Sequence, residues 1–100
     1  MEVRFTTPAL TDLEELRSYL STRSPSGLAN VIRDIEATVK EIPGSINKGL
    51  RTPRDDVWEK ISPKYQYRIP YYVRENIVYV LRVYHPRREP LNYEDIVNLT

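Results

Sequence analysis

The order of hydrophobic patterns predicts an α+β fold. It is a small antiparallel sheet with an amino-terminal antiparallel helical hairpin packed on one face, in the order β-α-α-β-β-β. Three observations predict it. Two apolar stripes of helical period follow one another across a very short break. Alternating apolar runs fill much of the second half of the chain. And 100 residues without a cysteine leave room for one modest core and no disulfide framework. Helices in sequence followed by strands in sequence bury their apolar sides best as two layers, with the hairpin of helices on one face of the sheet.

The first strand is residues 1–6, where Val3 and Phe5 share a face. Thr7 and Pro8 form a helix start: threonine can cap, and proline suits the first helical position because its missing N–H has no partner there anyway. Leu10, Leu13, Leu16 and Leu20 then recur at helical spacing, which predicts a helix to about Ser21. Ser24 and Pro25 repeat the start signal. Leu28, Val31, Ile32, Ile35, Val39 and Ile42 form the second stripe, and Pro43-Gly44 stops it. So short a connection makes the two helices antiparallel neighbours.

Residues 45–56 lack a pattern and read as a loop or weak strand. Residues 57–61 alternate. Residues 66–73 place Ile69, Tyr71 and Val73 on one face, and residues 77–84 place Ile77, Tyr79, Leu81 and Val83 on one face against Val78 and Val80. The polar break Arg74-Glu75-Asn76 makes the last two an antiparallel hairpin. Pro70 cannot donate to a ladder, so its position predicts an open edge or a bulge. Residues 91–99 are either a short terminal helix or a tail that orders on binding. Residues 1–100 make a single domain.

Composition narrows the function classes. The net charge of +1 hides an asymmetry: five Lys/Arg against seven Asp/Glu in residues 1–43, and ten against seven in residues 44–100. An anionic partner would meet the second part, but the charge falls far short of a dedicated nucleic-acid binder. One histidine and no cysteine predict no structural zinc and no thiolate chemistry, and nothing in the residues calls for a cofactor. No apolar run approaches bilayer length. The start MEVRFTTP lacks the basic and apolar parts of a signal peptide, so the expected location is the cytoplasm. Eight of ten aromatics are tyrosine, a residue suited to half-wet surfaces and interfaces.

Chemistry-bearing residues gather in RVYHPRREPLNY, residues 82–93. Histidine titrates near neutral pH, so this residue type can act as acid or base. Arginines can clamp a phosphate through paired N–H donors. Each residue also has a plain structural reading. His85 at a strand end can bond a backbone group. Arg82 alternates off the apolar face onto a solvated or helix-free one. Arg68 can pair with Glu59 across the hairpin. Arg87 and Arg88 beside Glu89 can be no more than a charged terminus.

Taken together, Glu41-Ile42-Pro43-Gly44 closing a helical hairpin, then Tyr67-Arg68-Ile69-Pro70-Tyr71-Tyr72-Val73, then Val78-Tyr79-Val80-Leu81-Arg82-Val83-Tyr84-His85 resemble the RelE/ParE superfamily of type II toxins, its ParE-like branch above all. The resemblance covers the chain up to Arg88. It implies the fold derived above, with no cofactor and no metal. It also implies a toxin that arrests growth, often with a part in plasmid stabilisation. A cognate antitoxin would wrap it with an extended carboxy-terminal segment in a toxin–antitoxin hetero-oligomer, the helical hairpin and exposed sheet edge being its expected site. ParE-like members poison DNA gyrase without chemistry of their own. On that branch Arg82, His85, Arg87 and Arg88 are the expected target-binding residues. RelE-like members cut mRNA on the ribosome. On that alternative Arg68, His85, Arg87 and Tyr93 would be catalytic. The paired lysines of the nuclease branch are not reproduced: the strand reads Val57-Trp58-Glu59-Lys60-Ile61, with a negative charge where phosphate would bind. A third reading is a member that binds only an antitoxin-like partner.

Overall fold

The computed structural model describes residues 1–87. The readings placed on Arg88, Tyr93 and residues 91–99 lie outside the described residues. The elements are β1 (Glu2–Phe5), α1 (Thr7–Arg23), α2 (Pro25–Glu41), β2 (Leu50–Arg51), β3 (Trp58–Ile61), β4 (Arg68–Arg74) and β5 (Ile77–Val80), with single 3₁₀ turns at Ile42–Gly44 and Ile46–Lys48. The sheet order is β1-β5-β4-β3-β2.

The expected sheet was antiparallel; the observed one is mixed. β1 runs parallel to β5, with Val3 opposite Val78 and Phe5 opposite Val80. The topology explains this. After the helical hairpin the chain enters the sheet at its far edge, and each antiparallel step from β2 to β5 moves one place back toward β1. The final step brings β5 beside β1 in the same direction. β2 lies inside the stretch read as loop or weak strand.

Cap chemistry sets both helices. Thr6, not Thr7, caps α1: its Oγ1 accepts from the Ala9 N–H at 3.4 Å. The same hydroxyl lies 3.0 Å from the carbonyls of both Val80 and Leu81, so it also ties the helix start to the end of β5. Ser24 alone joins the helices. Its N–H donates to the Leu20 carbonyl, ending α1, and its Oγ accepts from the Gly27 N–H, starting α2. Such a cap stabilises a helix by about 1 kcal/mol.

One core lies between the helices and the sheet. Leu16, Val31, Ile35, Val39 and Ile42 meet Ile69, Tyr71, Val78, Val80 and Val83 there, with Val3, Phe5, Val73 and Trp58 at its margin. A smaller cluster of Val57, Tyr72 and Leu81, with Tyr79 against it, lies on the other sheet face. The stripe on α2 is as the spacing predicts. On α1 the buried line is Ala9, Asp12 and Leu16, while Leu10 is 51% exposed. Gly49 is required by close approach: a Cβ there would sit 2.7 Å from the Tyr71 hydroxyl and 3.0 Å from the Glu59 carbonyl.

The hairpin between β4 and β5 turns on Glu75 and Asn76, with φ of 51° and 63°, and Arg74 pairs with Ile77. Two left-handed residues in a two-residue loop are the type I′ geometry that matches strand twist.

Candidate functional site

The chain leaves β5 through a bulge. The Leu81 N–H donates to the Pro70 carbonyl, whereas Arg68 pairs with Tyr84 through both backbone bonds. Between those two rungs Arg82 and Val83 oppose Ile69 alone, the two-against-one count of a β-bulge. The bulge resets the side-chain phase. Val83 therefore joins the helix-side core and not the face shared by Ile77, Tyr79 and Leu81, as unbroken alternation predicts. It also accommodates Pro70. In a strand the N and C=O of one residue point the same way, so the missing N–H of Pro70 faces the bulge.

Arg82 turns toward α1. Its Nε and Nη2 donate to the Asp12 carboxylate at 2.7 and 2.9 Å, and the Val83 N–H donates to the same carboxylate at 2.9 Å. The expected solvated or helix-free face is thus replaced by a pairing with a helix. The Asp12 side chain is 4% exposed and that of Arg82 27%. Chiefly through the hydrogen bonds to Asp12, the guanidinium is held above its ordinary pKa. A bidentate fork plus a backbone amide satisfies a buried carboxylate well.

A second buried carboxylate lies on the face away from the helices. Glu59 of β3, 3% exposed in its side chain, accepts from Arg68 Nη1 at 2.8 Å and from the Tyr84 hydroxyl at 3.3 Å. Register explains the meeting. Glu59 lies opposite Pro70 and Ile61 opposite Arg68, so Arg68 reaches Glu59 along the strand diagonal.

His85 follows. Its ring meets that of Tyr67 edge-on, with centroids 5.5 Å apart and planes at 79°. Its Nδ1 accepts from the Arg87 N–H at 3.3 Å. The ring is half-buried, and Arg87 is exposed. The structure thus brings Arg68 and His85 to one strand end, Arg68 bridging to Tyr84 and Tyr67 touching His85. It places Arg82 on the helix side of the sheet, opposite Arg68 and against α1. Among the described residues no three His, Asp or Glu side chains gather as a metal site, and no helix is long and apolar enough to cross a membrane.

Sequence reasoning missed the carboxylates Asp12 and Asp34. Asp34 of α2 is 5% exposed and accepts from the N–H groups of Lys64 and Tyr65, down to 2.8 Å, which pins the turn before β4 to the helix. The signal was present. Asp12 lies three residues after Ala9 and four before Leu16, and Asp34 lies three after Val31 and four before Thr38. Both therefore occupy the buried line of a helix. A charge at such a position calls for a partner that the rest of the fold must supply.

A helical hairpin laid on one face of a five-stranded mixed sheet, with the chain leaving the last strand through a bulge, defines a small α+β domain. The same fold occurs in a solved structure described as the chromosomal ParDE toxin–antitoxin system from P. aeruginosa, at 19% identity and a TM-score of 0.73, covering 85% of this chain and 95% of that one. Seven chains of solved structures match. No curated protein matches. The model of the family described as the ParE toxin of type II toxin-antitoxin system, parDE, matches residues 3–90. The chain belongs to the ParE toxin family.

Proposed function

We propose that this type II toxin arrests growth in the cytoplasm by binding DNA gyrase through the segment that follows β5, and that a cognate antitoxin neutralises it. The observation that carries the reading is the family match over residues 3–90. The local chemistry supports it. A phosphate-cutting site needs unopposed cations over the phosphate, and Arg68 instead faces the buried Glu59 at 2.8 Å. A phosphate entering there would meet a carboxylate that is already hydrogen-bonded. Arg87, by contrast, is exposed at the exit. An exposed arginine of this kind steers a protein partner by charge.

A second reading is a ribosome-dependent endoribonuclease. It draws on one observation: Arg68 and His85 share a strand end. One experiment separates the two. Purified toxin is added to gyrase acting on relaxed plasmid, with and without saturating antitoxin. The gyrase reading predicts inhibition, with cleaved DNA trapped, that the antitoxin relieves. An unaffected enzyme at high toxin excess, together with codon-specific cuts in mRNA after induction, would replace it with the nuclease reading.

A further inference from the structure

We infer that Asp12 of α1 is a positioning residue for the exit segment, setting the direction in which Arg87 is presented. The inference rests on the reading of the exit as the target-contacting surface. Every step of the chain from Val80 to His85 is held by a group from elsewhere. Thr6 Oγ1 reaches the carbonyls of Val80 and Leu81. Asp12 takes Arg82 and the Val83 N–H. The backbone of Arg68 and the side chain of Glu59 take Tyr84, and Tyr67 takes His85.

Asp12 differs from the rest because it acts on the bulge itself. A bulge leaves a backbone N–H outside the ladder and bends the strand. Here that N–H belongs to Val83 and finds its acceptor on the helix. One carboxylate thus fixes both unpaired residues of the bulge, by the side chain of Arg82 and the backbone of Val83. The three hydrogen bonds, at 2.7 to 2.9 Å, leave the exit little freedom to swing about the bulge. The link runs from α1 to a segment 70 residues later. The surface is therefore aimed by the helical hairpin, not by its own strand alone.

The test compares Asp12→Asn, Arg82→Lys and Arg87→Glu with the parent chain at matched levels of soluble, folded toxin. Asparagine keeps the shape but loses the charge and turns donors toward Arg82. Lysine keeps the charge and the Val83 bond but loses the fork, which makes it the milder variant should asparagine fail to fold. The first readout is the pair of ring-proton NMR lines of the single histidine, displaced by its edge contact with Tyr67. The second is growth arrest per folded toxin. We expect Asp12→Asn and, less strongly, Arg82→Lys to move the histidine lines toward free-histidine positions. Arrest should then need on the order of tenfold more toxin for Asp12→Asn. Unmoved lines in both folded variants would overturn the inference. Moved lines with undiminished arrest would also overturn it, and Arg87→Glu then shows how much falls. If it weakens arrest, the exit remains the target surface and only the positioning role is lost. If it does not, the reading of the exit fails too.

Discussion

Two arginines of neighbouring strands meet two buried carboxylates on opposite faces of the sheet, and the pairs are built differently. Arg68 and Glu59 belong to adjacent strands, meet on the diagonal through one nitrogen, and leave the arginine 37% exposed. Arg82 and Asp12 join the bulge to a helix through a two-pronged fork, with a backbone amide on the same carboxylate. The first pair neutralises a charge within a regular ladder. The second supplies hydrogen bonds that an irregular ladder cannot supply for itself. Removing one partner of a buried pair is costly chiefly because of what it leaves uncompensated, so the two should respond unequally.

The largest effect is expected from Asp12→Ala. It strands the Val83 N–H in the interior as well as freeing Arg82, and should cost about 3 kcal/mol in urea unfolding. Glu59→Ala should cost less, about 1–2 kcal/mol, because Arg68, whose side chain is 37% exposed, can turn to water. Equal losses would show that the bulge amide contributes nothing, and the contrast between the pairs would disappear.

Tyr71 sharpens the comparison from the core, where a polar group is buried without an ion partner. Its hydroxyl donates to the Ile46 carbonyl at 2.8 Å, and burial pushes its pKa up to about 12. Folding therefore favours the neutral phenol. The contribution is fully present below the ordinary tyrosine value of about 10 and is lost as pH rises from there through about 12, since the folded state holds the proton more tightly than the unfolded one. Tyr71→Phe should lose about 1 kcal/mol at neutral pH and should lose less stability than the parent between those two pH values. The smallest effect is expected at the type I′ turn. Glu75→Gly relieves a left-handed non-glycine residue, and Asn76→Gly relieves another. Each should change stability by no more than about 1 kcal/mol, most readily as a gain for Glu75.

The same contrast explains what the sequence made legible. The pairing of Arg68 with Glu59 could be read as an alternative from alternation, because both residues lie in unbroken strands. The side of the sheet taken by Arg82 and Val83 could not. Strand period is a local rule, and the bulge that resets it is visible only as Pro70, whose missing donor predicts an irregularity without saying which residues it displaces. On α1 the leucines at helical spacing were legible as a stripe. The burial of Asp12 in preference to Leu10 depends on an arginine and an amide 70 and 71 residues away. The caps followed local chemistry, displaced by one residue at Thr6 because that hydroxyl is also held by the end of β5. The parallel edge strand follows from the count of hairpin steps, which no single segment encodes.

The central proposal is that the strand end serves as a recognition surface. It is tested most directly by inducing His85→Ala in cells without antitoxin, at the parent's level of folded protein, and following growth. The account predicts that arrest persists at a modestly higher dose, because the imidazole supports the exit surface by packing on Tyr67 and accepting from the Arg87 N–H and has no chemical step to perform. Normal growth with the folded variant at the parent's level would contradict it and make the histidine a catalytic group.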